Sequence, residues 1–483
     1  MEAIFLFTTK ILKNKIKSKK QKSKSKKQED LDSCLRRNDK KEKMATQLEI
    51  ARSGQLSPEV KFVAKREGVE AGIVREEIAA GRLVIPANRI HVKGNLKPAG
   101  IGRVLKTKVN ANIGVSSVRS TVKEELEKMR VALEAGADAI MDLSTGGNLD
   151  EIRAALLAEC PAPFGTVPIY QMVSDRTVEE VTEKIILGVI EKQAKEGVDF
   201  FTIHAGVLRE YLPLAGKRVA GIVSRGGALL AEWMLYHGRQ NPLYEMFDEL
   251  CAIMREYDVC FSLGDGLRPG CLADATDEAQ MAELRTLGEL TQRAQEANCQ
   301  VMVEGPGHIP FNQIEYNMKI QQLICHDAPF YVLGPVVTDI APGYDHITSA
   351  IGGTAATYYG ASFLCYVTPR EHLGLPNAED VRQGVIAARI AAHAGDVARG
   401  LKGAAEQDIN LGRARAELDW DAHLSQSIDP DTARRMHEEA CEGIEERGQG
   451  GADYCSMCGR QWCSARINKE LRKKLIEKEQ PAK

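Results

Sequence analysis

Three cysteines near the carboxyl end of the chain have the spacing of a metal-binding site. Cys455, Cys458 and Cys463 form a C-x2-C-x4-C pattern. Cysteine thiolates select zinc or iron–sulfur clusters, and structural zinc sites take four ligands, usually as two pairs. Three ligands on a 4Fe–4S cluster would instead leave one iron open to a substrate or cosubstrate. The pattern favours the iron–sulfur cluster, while a zinc site completed by Cys441 or His437 stays open.

Two histidines could hold a second metal ion. Glu304 and His308 lie in the stretch E-G-P-G-H, in which two glycines and a proline hold a carboxylate and an imidazole four residues apart. His372 follows in the stretch T-P-R-E-H-L-G. Two histidines could bind zinc or iron if water or substrate completed the coordination shell. A single histidine is just as often a structural hydrogen-bonding residue, so this interpretation requires the two side chains to meet.

Two glycine-containing stretches could bind a polar ligand. The stretch S-R-G-G at 224–227 precedes a long predicted helix, so its backbone N–H groups and its arginine could bind a phosphate or a carboxylate. The stretch D-G-L-R at 265–268 pairs an acid with a guanidinium, which suits a polyhydroxylated or heterocyclic ligand. An ion pair within the loop is the alternative for this second stretch.

The elements that must position these groups follow the pattern of a parallel α/β barrel. From about residue 120, short apolar stretches alternate with longer amphipathic ones. Eight strands are predicted, which favours a (β/α)8 barrel of the TIM type, with an open doubly wound sheet as the alternative. The predicted strands are Ala139–Asp142, Val167–Gln171, Phe200–His204, Val219–Ser224, Val259–Leu263, Cys299–Glu304, Phe330–Leu333 and Ala361–Val367. Helices are predicted between most of them, for example Thr177–Glu196, Leu229–Tyr257, Glu278–Asn298 and Asn312–His326.

Most of the predicted strands are followed by glycine or proline beside a polar or charged residue. In a parallel barrel these turns all lie at the carboxyl ends of the strands, where barrel enzymes have their active sites. We therefore expect a single site there. By position, it would also include Asn112, Met141, Tyr170, His204 and Tyr331.

Composition excludes several classes of protein. Of 483 residues, 43% are hydrophobic and 27% charged, so the chain can bury a large core. A net charge of -3 gives no overall basic field for nucleic acid, and no apolar run approaches the ~18–20 residues that span a bilayer. We expect a soluble, cytoplasmic protein without nucleic-acid or membrane partners. Nine scattered cysteines are expected to be reduced and mostly buried: Cys34, Cys160, Cys251, Cys260, Cys271, Cys299, Cys325, Cys365 and Cys441.

The chain divides into four predicted regions. Residues 1–43 carry 13 lysines and 2 arginines against 6 acids, and we predict a disordered, dispensable leader, with a nucleic-acid or membrane tether as the alternative. Residues 44–118 form a loop-rich N-terminal segment, 119–400 the catalytic barrel, and 401–483 a helical extension that carries the cysteine motif.

Taken together, these stretches resemble the phosphomethylpyrimidine synthase family over about residues 45–467. The resemblance rests on N-L-K-P-A-G-I-G-R-V-L-K-T-K-V-N-A-N-I-G, D-A-I-M-D-L-S-T-G-G-N, S-L-G-D-G-L-R-P-G, E-G-P-G-H-I-P, Y-V-T-P-R-E-H-L-G-L-P-N and the cysteine motif. It implies an atypical radical S-adenosylmethionine lyase of thiamine biosynthesis. Such an enzyme converts 5-aminoimidazole ribotide to 4-amino-5-hydroxymethyl-2-methylpyrimidine phosphate and releases carbon monoxide and formate.

The resemblance also implies the fold and the partners. The family has a (β/α)8 barrel with a 4Fe–4S cluster on a C-terminal extension, and its members are homodimers that need an external electron donor such as a flavodoxin or a ferredoxin. Longer members have an extra N-terminal region that the lysine-rich leader does not match. The cysteine motif follows the linker R-G-Q-G-G-A-D, so we expect it to close over a barrel mouth, in its own subunit or its partner.

Individual residues acquire expected roles from the same resemblance. Cys455, Cys458 and Cys463 would ligate the cluster, and His308 and His372 would bind zinc or another divalent metal. The substrate-contact positions would be Asn112, Met141, Tyr170, His204, Ser224, Arg225, Gly226, Asp265, Gly266, Leu267, Arg268, Glu304 and Tyr331.

Three of the implied contacts are expected to be catalytic. Asp265, Arg268 and Glu304 would orient the imidazole and the ribose and take part in acid–base steps, while Ser224 and Arg225 would anchor the phosphate. Two alternatives belong to other functional classes. One is a zinc-stabilised barrel that binds a metabolite without catalysis, and the other is a nucleic-acid-associated protein that acts through its leader.

Overall fold

The computed structural model describes residues 45–442, 454 and 456–479, and its centre is a closed barrel of eight parallel strands. A short antiparallel pair, β1 (Leu83–Val84) and β2 (Ile101–Gly102), precedes the barrel. The barrel strands are β3 (Lys108–Ile113), β4 (Ala139–Asp142), β5 (Phe164–Thr166), β6 (Phe200–Ile203), β7 (Cys260–Leu263), β8 (Val301–Gly305), β9 (Phe330–Leu333) and β10 (Phe363–Cys365). Strand β10 pairs with β3 and closes the barrel, so the predicted (β/α)8 fold is confirmed and the open sheet is excluded.

Two of the predicted strands need correction, and the first barrel strand was missed. Val219–Ser224 is a loop, because the N–H groups of Val219 and Ala220 bond to the Asp274 carboxylate and not to a strand. Val167–Gln171 lies mostly in the short helix Pro168–Met172, which begins at a proline just after β5. The first barrel strand, β3, lies before residue 119, within the predicted N-terminal segment. This buried strand was missed because it contains a lysine and two asparagines.

Helices surround the barrel and follow most of its strands. Those before and between the first barrel strands are α1 (Gln47–Arg52), α2 (Pro58–Glu67), α3 (Ala71–Ala79), α4 (Val122–Glu134), α5 (Leu149–Glu159), α6 (Pro168–Met172) and α7 (Glu183–Glu196). The next group is α8 (Leu212–Ala215), α9 (Arg225–His237), α10 (Pro242–Glu245), α11 (Phe247–Tyr257), α12 (Glu278–Glu296), α13 (Ile314–Ile324) and α14 (Asp345–Tyr359). The last group is α15 (Ala378–Ala398), α16 (Ala404–Glu417), α17 (Trp420–Ser425), α18 (Pro430–Ala440), α19 (Gly459–Trp462) and α20 (Ser464–Glu479).

The predicted helix Leu229–Tyr257 is three helices, α9 to α11. Helix α9 ends at Gly238, which has a positive φ of 62°, and α10 begins with Asn241 as its cap and Pro242 in its first turn. A glycine in the left-handed region and a proline in the first turn are the ordinary signals for the end and the start of a helix. The break therefore has a local cause.

The barrel core is apolar and its amino-terminal end is closed by the N-terminal segment. Phe200, Phe261 and Phe363 are completely buried, as expected for parallel strands covered on both faces. The Asp199 carboxylate, just before β6, accepts hydrogen bonds from the backbone N–H groups of Asn88 (2.8 Å) and Phe164 (2.7 Å). The segment before the barrel is thus tied to two strand starts, and we call this end the floor.

Among the described residues, no helix is long and apolar enough to cross a membrane. The leader, residues 1–43, and Cys455 lie outside the described residues. The division into four regions stays a prediction apart from the earlier start of the barrel. The described cysteines are free thiols, and apart from Cys271, Cys458 and Cys463 they are buried.

Candidate active site

A cavity opens at the carboxyl ends of the barrel strands, which we call the mouth. Its water-accessible volume is about 140 Å³. Most of the predicted substrate-contact residues line it: Asn112, Met141, Tyr170, His204, Ser224, Arg225, Asp265, Arg268, Glu304 and Tyr331. Residues 226, 266 and 267 do not line the cavity, although they lie in the same loops as residues that do. The structure thus brings the scattered sequence stretches together.

The start of helix α9 is built to face an anion. Ser224 caps the helix, and its hydroxyl accepts a hydrogen bond from the backbone N–H of Gly227 (3.2 Å). The free N–H groups of a first helical turn and the helix dipole favour negative charge. The Arg225 guanidinium adds a positive charge beside them, 4.9 Å from the centre of the Tyr170 ring.

Two glycines allow this helix to approach the neighbouring loops. A Cβ atom at Gly226 would lie 2.4 Å from the His204 ring, and one at Gly227 would lie 2.3 Å from the carbonyl oxygen of Gly266. Both distances are shorter than any real contact of a side chain. The predicted contact residues Gly226 and Gly266 therefore have a packing role, which brings the α9 start against the loop at 265–268.

Glu304 is held from two neighbouring strands. One of its carboxylate oxygens accepts hydrogen bonds from the hydroxyl groups of Thr202 (2.7 Å) and Ser262 (2.6 Å). Burial raises the pKa of Glu304, while these two donors and the charge of Arg268 oppose the rise. Both donors are strand residues that the sequence analysis missed, although a lone hydroxyl in an otherwise apolar strand is a usable signal.

Asp265 and His204 are shifted by burial towards their neutral forms. Burial raises the pKa of Asp265 to about 8, against the attraction of Arg268, whose guanidinium lies 3.2 Å from the carboxylate. Burial also lowers the pKa of His204 to about 3. The cavity at neutral pH therefore contains a carboxyl group and an imidazole that are largely uncharged. Asp265 and Arg268 thus contact each other within the loop, as the alternative interpretation of this stretch expects, but both residues also line the cavity.

A hydrogen-bonded chain crosses the cavity wall from β3 to β10. The Asn110 amide donates to the Tyr331 hydroxyl and to the Asn112 side-chain oxygen, both at 2.7 Å. The Asn112 amide in turn lies 3.0 Å from the Cys365 sulfur. Cys365 lines the cavity, and the sequence analysis missed it as a residue of the site together with Asn110.

A second cavity adjoins the first one. Its water-accessible volume is about 240 Å³, and it lies among the loops after β3, β4 and β10. The residues common to both cavities are Asn112, Leu143, Arg225 and Glu371. The mouth therefore has room for two small molecules side by side.

The two predicted metal-binding histidines meet in the structure. The ring centres of His308 and His372 are 5.1 Å apart. Nδ1 of His308 lies 2.8 Å from an oxygen of Asp339, and Nδ1 of His372 lies 3.0 Å from an oxygen of Asp345. A carboxylate on one ring nitrogen orients the other nitrogen as a ligand. The Nε2 atoms are thus available for a divalent cation.

No third ligand accompanies this pair within the part of the chain that the structure describes. Across residues 45–442 and the described part of the C-terminal segment, no group of three His, Cys, Asp or Glu side chains is arranged to hold a metal. The cysteine motif is only partly described. Cys458 is exposed just before α19, and Cys463 is partly exposed just after it.

Comparison with solved structures gives only weak similarities. Dihydropteroate synthases from Coxiella burnetii, Yersinia pestis and Thermus thermophilus are 14%, 13% and 13% identical to this chain, with TM-scores of 0.38, 0.36 and 0.36. They match 62%, 61% and 61% of this chain and 94%, 94% and 95% of their own. Similarities at this level support no statement about function.

A family model matches almost the whole described chain. The sequence pattern of the Radical SAM ThiC family covers residues 46–470, from the first helix through the cysteine motif. The match includes every residue that the cavity and the histidine pair contribute. The chain therefore belongs to the Radical SAM ThiC family, the radical S-adenosylmethionine enzymes that act as phosphomethylpyrimidine synthases in thiamine pyrimidine synthesis.

Proposed function

We propose that this enzyme converts 5-aminoimidazole ribotide to 4-amino-5-hydroxymethyl-2-methylpyrimidine phosphate, with release of carbon monoxide and formate. The observation that carries the proposal is the anion-binding start of α9 at the edge of a polar barrel cavity. A ribotide needs a phosphate site next to groups that bind sugar hydroxyls and a nitrogen heterocycle. Family membership leaves the non-catalytic, zinc-stabilised barrel without support.

The phosphate would bind at Ser224 and Arg225. The first-turn N–H groups of α9 donate hydrogen bonds to its oxygens, and the guanidinium supplies a charge-assisted bond. Because Arg225 also lies over the Tyr170 ring, its fork has a fixed direction. The phosphate would thereby fix the position of the rest of the substrate.

The imidazole and ribose would contact Asp265, Arg268 and Glu304. Glu304, whose carboxylate already accepts two hydroxyl hydrogen bonds, is best suited to accept further bonds from the substrate amine or from hydroxyls. Asp265 is best suited to donate a hydrogen bond, since burial favours its protonated form.

S-adenosylmethionine and a 4Fe–4S cluster belong to the chemistry of this family. The reduced cluster, when bound, supplies the electron that cleaves S-adenosylmethionine. We propose Cys455, Cys458 and Cys463 as its ligands, and a flavodoxin or ferredoxin as the electron donor. The second cavity at the mouth gives S-adenosylmethionine room beside the ribotide.

We also propose a divalent metal, zinc or another, on His308 and His372. The residues present fit such an ion, because carboxylates hold both rings with Nε2 free. The metal would help to position substrate or S-adenosylmethionine. Metal analysis of the double variant His308→Ala/His372→Ala should show loss of that ion with the cluster iron retained, and unchanged metal content would refute the site.

We propose a cytoplasmic homodimer without nucleic-acid or membrane partners. Helices α13 and α14 pack together and expose apolar side chains that a second copy would cover: Tyr316, Leu323, Ile347, Ile351 and Tyr358. Sedimentation of Leu323→Glu/Ile351→Glu should show a monomer if this face forms the dimer. Deletion of residues 1–43 should leave activity unchanged, and a large loss would show that the leader acts.

Anaerobic turnover tests the proposed reaction. The reconstituted protein, given 5-aminoimidazole ribotide, S-adenosylmethionine and dithionite, should form the pyrimidine phosphate together with 5′-deoxyadenosine. Cys458→Ser should abolish both products while the circular dichroism spectrum is unchanged, because Cys458 is exposed and outside the barrel. Cleavage of S-adenosylmethionine without pyrimidine would refute the proposed substrate.

A further inference from the structure

A small cavity lies behind the loop that carries Asp265. It is separate from the mouth, although Asp265, Arg268 and Glu304 border both spaces. Its water-accessible volume is about 20 Å³, which is just above the ~10–15 Å³ that one water molecule occupies. Its outer wall is helix α12, from which Glu283 faces the same space.

Glu283 is a buried acid to which the sequence analysis gave no role. Its side chain is 2% exposed, and one carboxyl oxygen accepts a hydrogen bond from the backbone N–H of Leu267 at 2.7 Å. Its burial and the nearby Asp265 carboxyl raise its pKa well above the usual range. Glu283 thus holds the catalytic loop from behind and favours a proton on its carboxyl group.

Two oxygens around this cavity lack a partner among the described residues. One is the second carboxyl oxygen of Glu283, and the other is the carboxyl oxygen of Asp265 that does not face Arg268. Asp265 is only 7% exposed. Buried polar oxygens of this kind are almost always hydrogen-bonded, to protein or to ordered water. The amides of Gln280 and Asn317, which also border the cavity, bond to each other at 2.6 Å and so leave the two acids as the groups that need a partner.

We propose that Glu283 and Asp265 share one proton through a single ordered water molecule in this cavity. Both carboxyl groups border this one small cavity, and ionisation of one opposes ionisation of the other, because the first negative charge repels the second. The water donates to the ionised acid and accepts from the protonated one, so both unpartnered oxygens are satisfied. Glu283 is then a positioning residue that acts on the substrate only through Asp265, and this inference rests on the proposed function for the role of Asp265.

Other charged or titratable groups lie near the pair and must be counted. They are Arg268 on the same loop, Glu304 on β8, His204 after β6, Tyr170 on α6, and Arg218 in the loop before α9. None of the acids in this set contacts the small cavity except Glu304, whose carboxylate is already hydrogen-bonded to two hydroxyls. The charge of Glu304 also raises the pKa of Asp265, so the pair is singled out by its geometry: only Asp265 and Glu283 have an unpartnered oxygen among the described residues that border this cavity.

Infrared titration of the reconstituted enzyme tests this coupling directly. The absorbance of protonated carboxyl groups, followed against pH, should disappear in two separate steps for these acids in the unmodified enzyme. In Glu283→Gln, and equally in Asp265→Asn, the upper step should be missing, and the remaining acid should titrate at least about one pH unit below it. Glu283→Gln keeps an oxygen for the Leu267 N–H. If the unmodified spectrum equals the sum of the contributions lost in the two variants at every pH, the acids are independent and the proposal is wrong.

A matched variant separates proton sharing from simple support of the loop. Arg218 donates to the carbonyl of Arg268 at 3.2 Å and is gripped by both oxygens of Asp277 at 2.7 Å. Asp277→Asn thus loosens the same loop from outside without touching the cavity. It should lower activity but keep both titration steps, and loss of the upper step in this variant would overturn the proposal.

Turnover gives a second readout that a purely structural role would not change. On the proposed reaction, Glu283→Gln should move the alkaline limb of the pH profile of kcat/KM by about one pH unit towards lower pH. Asp277→Asn should lower kcat/KM at every pH without moving the limb. A crystal structure should also show one ordered water within hydrogen-bond distance of both carboxyl groups, and an unfilled cavity would refute the bridge. Because the infrared titration and the crystal structure need no turnover, failure of the proposed reaction is distinguishable from failure of the proton sharing.

Discussion

The buried acids at the two ends of the barrel differ in how completely they are hydrogen-bonded. At the floor, Asp199 is completely buried and fully paired with Asn88, Phe164 and His91. At the mouth, Asp265 is almost as buried, yet one of its oxygens has no partner among the described residues. An acid that is satisfied by the protein stabilises the fold, whereas an acid left partly unsatisfied costs stability unless a water molecule or a ligand supplies the missing partner. On the proposed function, the difference separates residues that hold the barrel together from residues that act on substrate.

The largest effect should come from removing the charge of a mouth acid. Glu304→Gln keeps an oxygen that can accept from Thr202 and Ser262 but loses the carboxylate, so we expect kcat to fall by about 10²–10⁴-fold, as for other acid–base groups. Thermal unfolding should be nearly unchanged. Anaerobic turnover and calorimetry measure the two quantities. Glu183→Gln, at an exposed glutamate at the start of α7, is the control, and a variant that keeps more than a tenth of the activity would show that Glu304 only binds.

Removing the charge of an acid at the floor should instead lower the stability and leave the rate unchanged. In Asp199→Asn, the buried His91 ring loses the carboxylate that lies 2.7 Å from its Nδ1, and breaking a buried pair of this kind costs about 3–5 kcal/mol. The rate per folded molecule should not change. Urea unfolding gives the free energy of unfolding, and turnover corrected for the folded fraction gives the rate. A variant with normal stability would mean that the N-terminal segment does not depend on this pair.

Burial of Asp265 at the mouth should also make the free energy of unfolding depend on pH. The pKa of Asp265 in the folded chain is about 8, whereas an exposed Asp has a pKa near 3.8. Between these values the folded state binds more protons than the unfolded state, so the free energy of unfolding falls as the pH rises. Asp265→Asn removes this loss. One unit of difference between the folded and unfolded pKa values corresponds to about 1.4 kcal/mol, so the difference between 3.8 and about 8 sets an upper limit of about 6 kcal/mol on the stability that the variant gains at pH 8. Unfolding free energies measured from pH 5 to pH 8 would contradict this if the two proteins changed in parallel.

The sequence was sufficient for those mouth residues that stand beside glycine or proline. Asp265, Arg268 and Glu304 were predicted because a turn at the end of a parallel strand must lie at one face of the barrel. Thr202 and Ser262 were missed because each is a single hydroxyl in an apolar strand, and only the closed barrel shows that both bond to one carboxylate.

The missed strand β3 has a different cause. Its polar residues predict a loop, but Lys108 bonds to Glu67 (3.0 Å) and Asn110 to Tyr331 (2.7 Å). These partners are 41 and 221 residues away in the chain, so no local sequence pattern indicates them. Long-range pairing of buried polar groups is therefore what a single sequence does not show, both for this strand and for the cavity behind Asp265.

Asp339 limits the contrast between floor and mouth, since it is a fully engaged acid at the mouth. One of its oxygens lies 2.8 Å from Nδ1 of His308, and the other accepts from the backbone N–H of Leu272 at 2.8 Å. On the proposed metal site, the Asp339 carboxylate serves a ligand and not the fold, because it fixes the ring whose Nε2 would face the metal. We therefore expect Asp339→Asn to weaken binding of a divalent metal by about 10–100-fold while the unfolding temperature stays the same. Titration of the metal-free protein with zinc measures the affinity. If the unfolding temperature of the variant changed and its zinc affinity did not, Asp339 would be a structural acid like Asp199. The presence of hydrogen-bond partners alone would then no longer distinguish a positioning acid from a structural one.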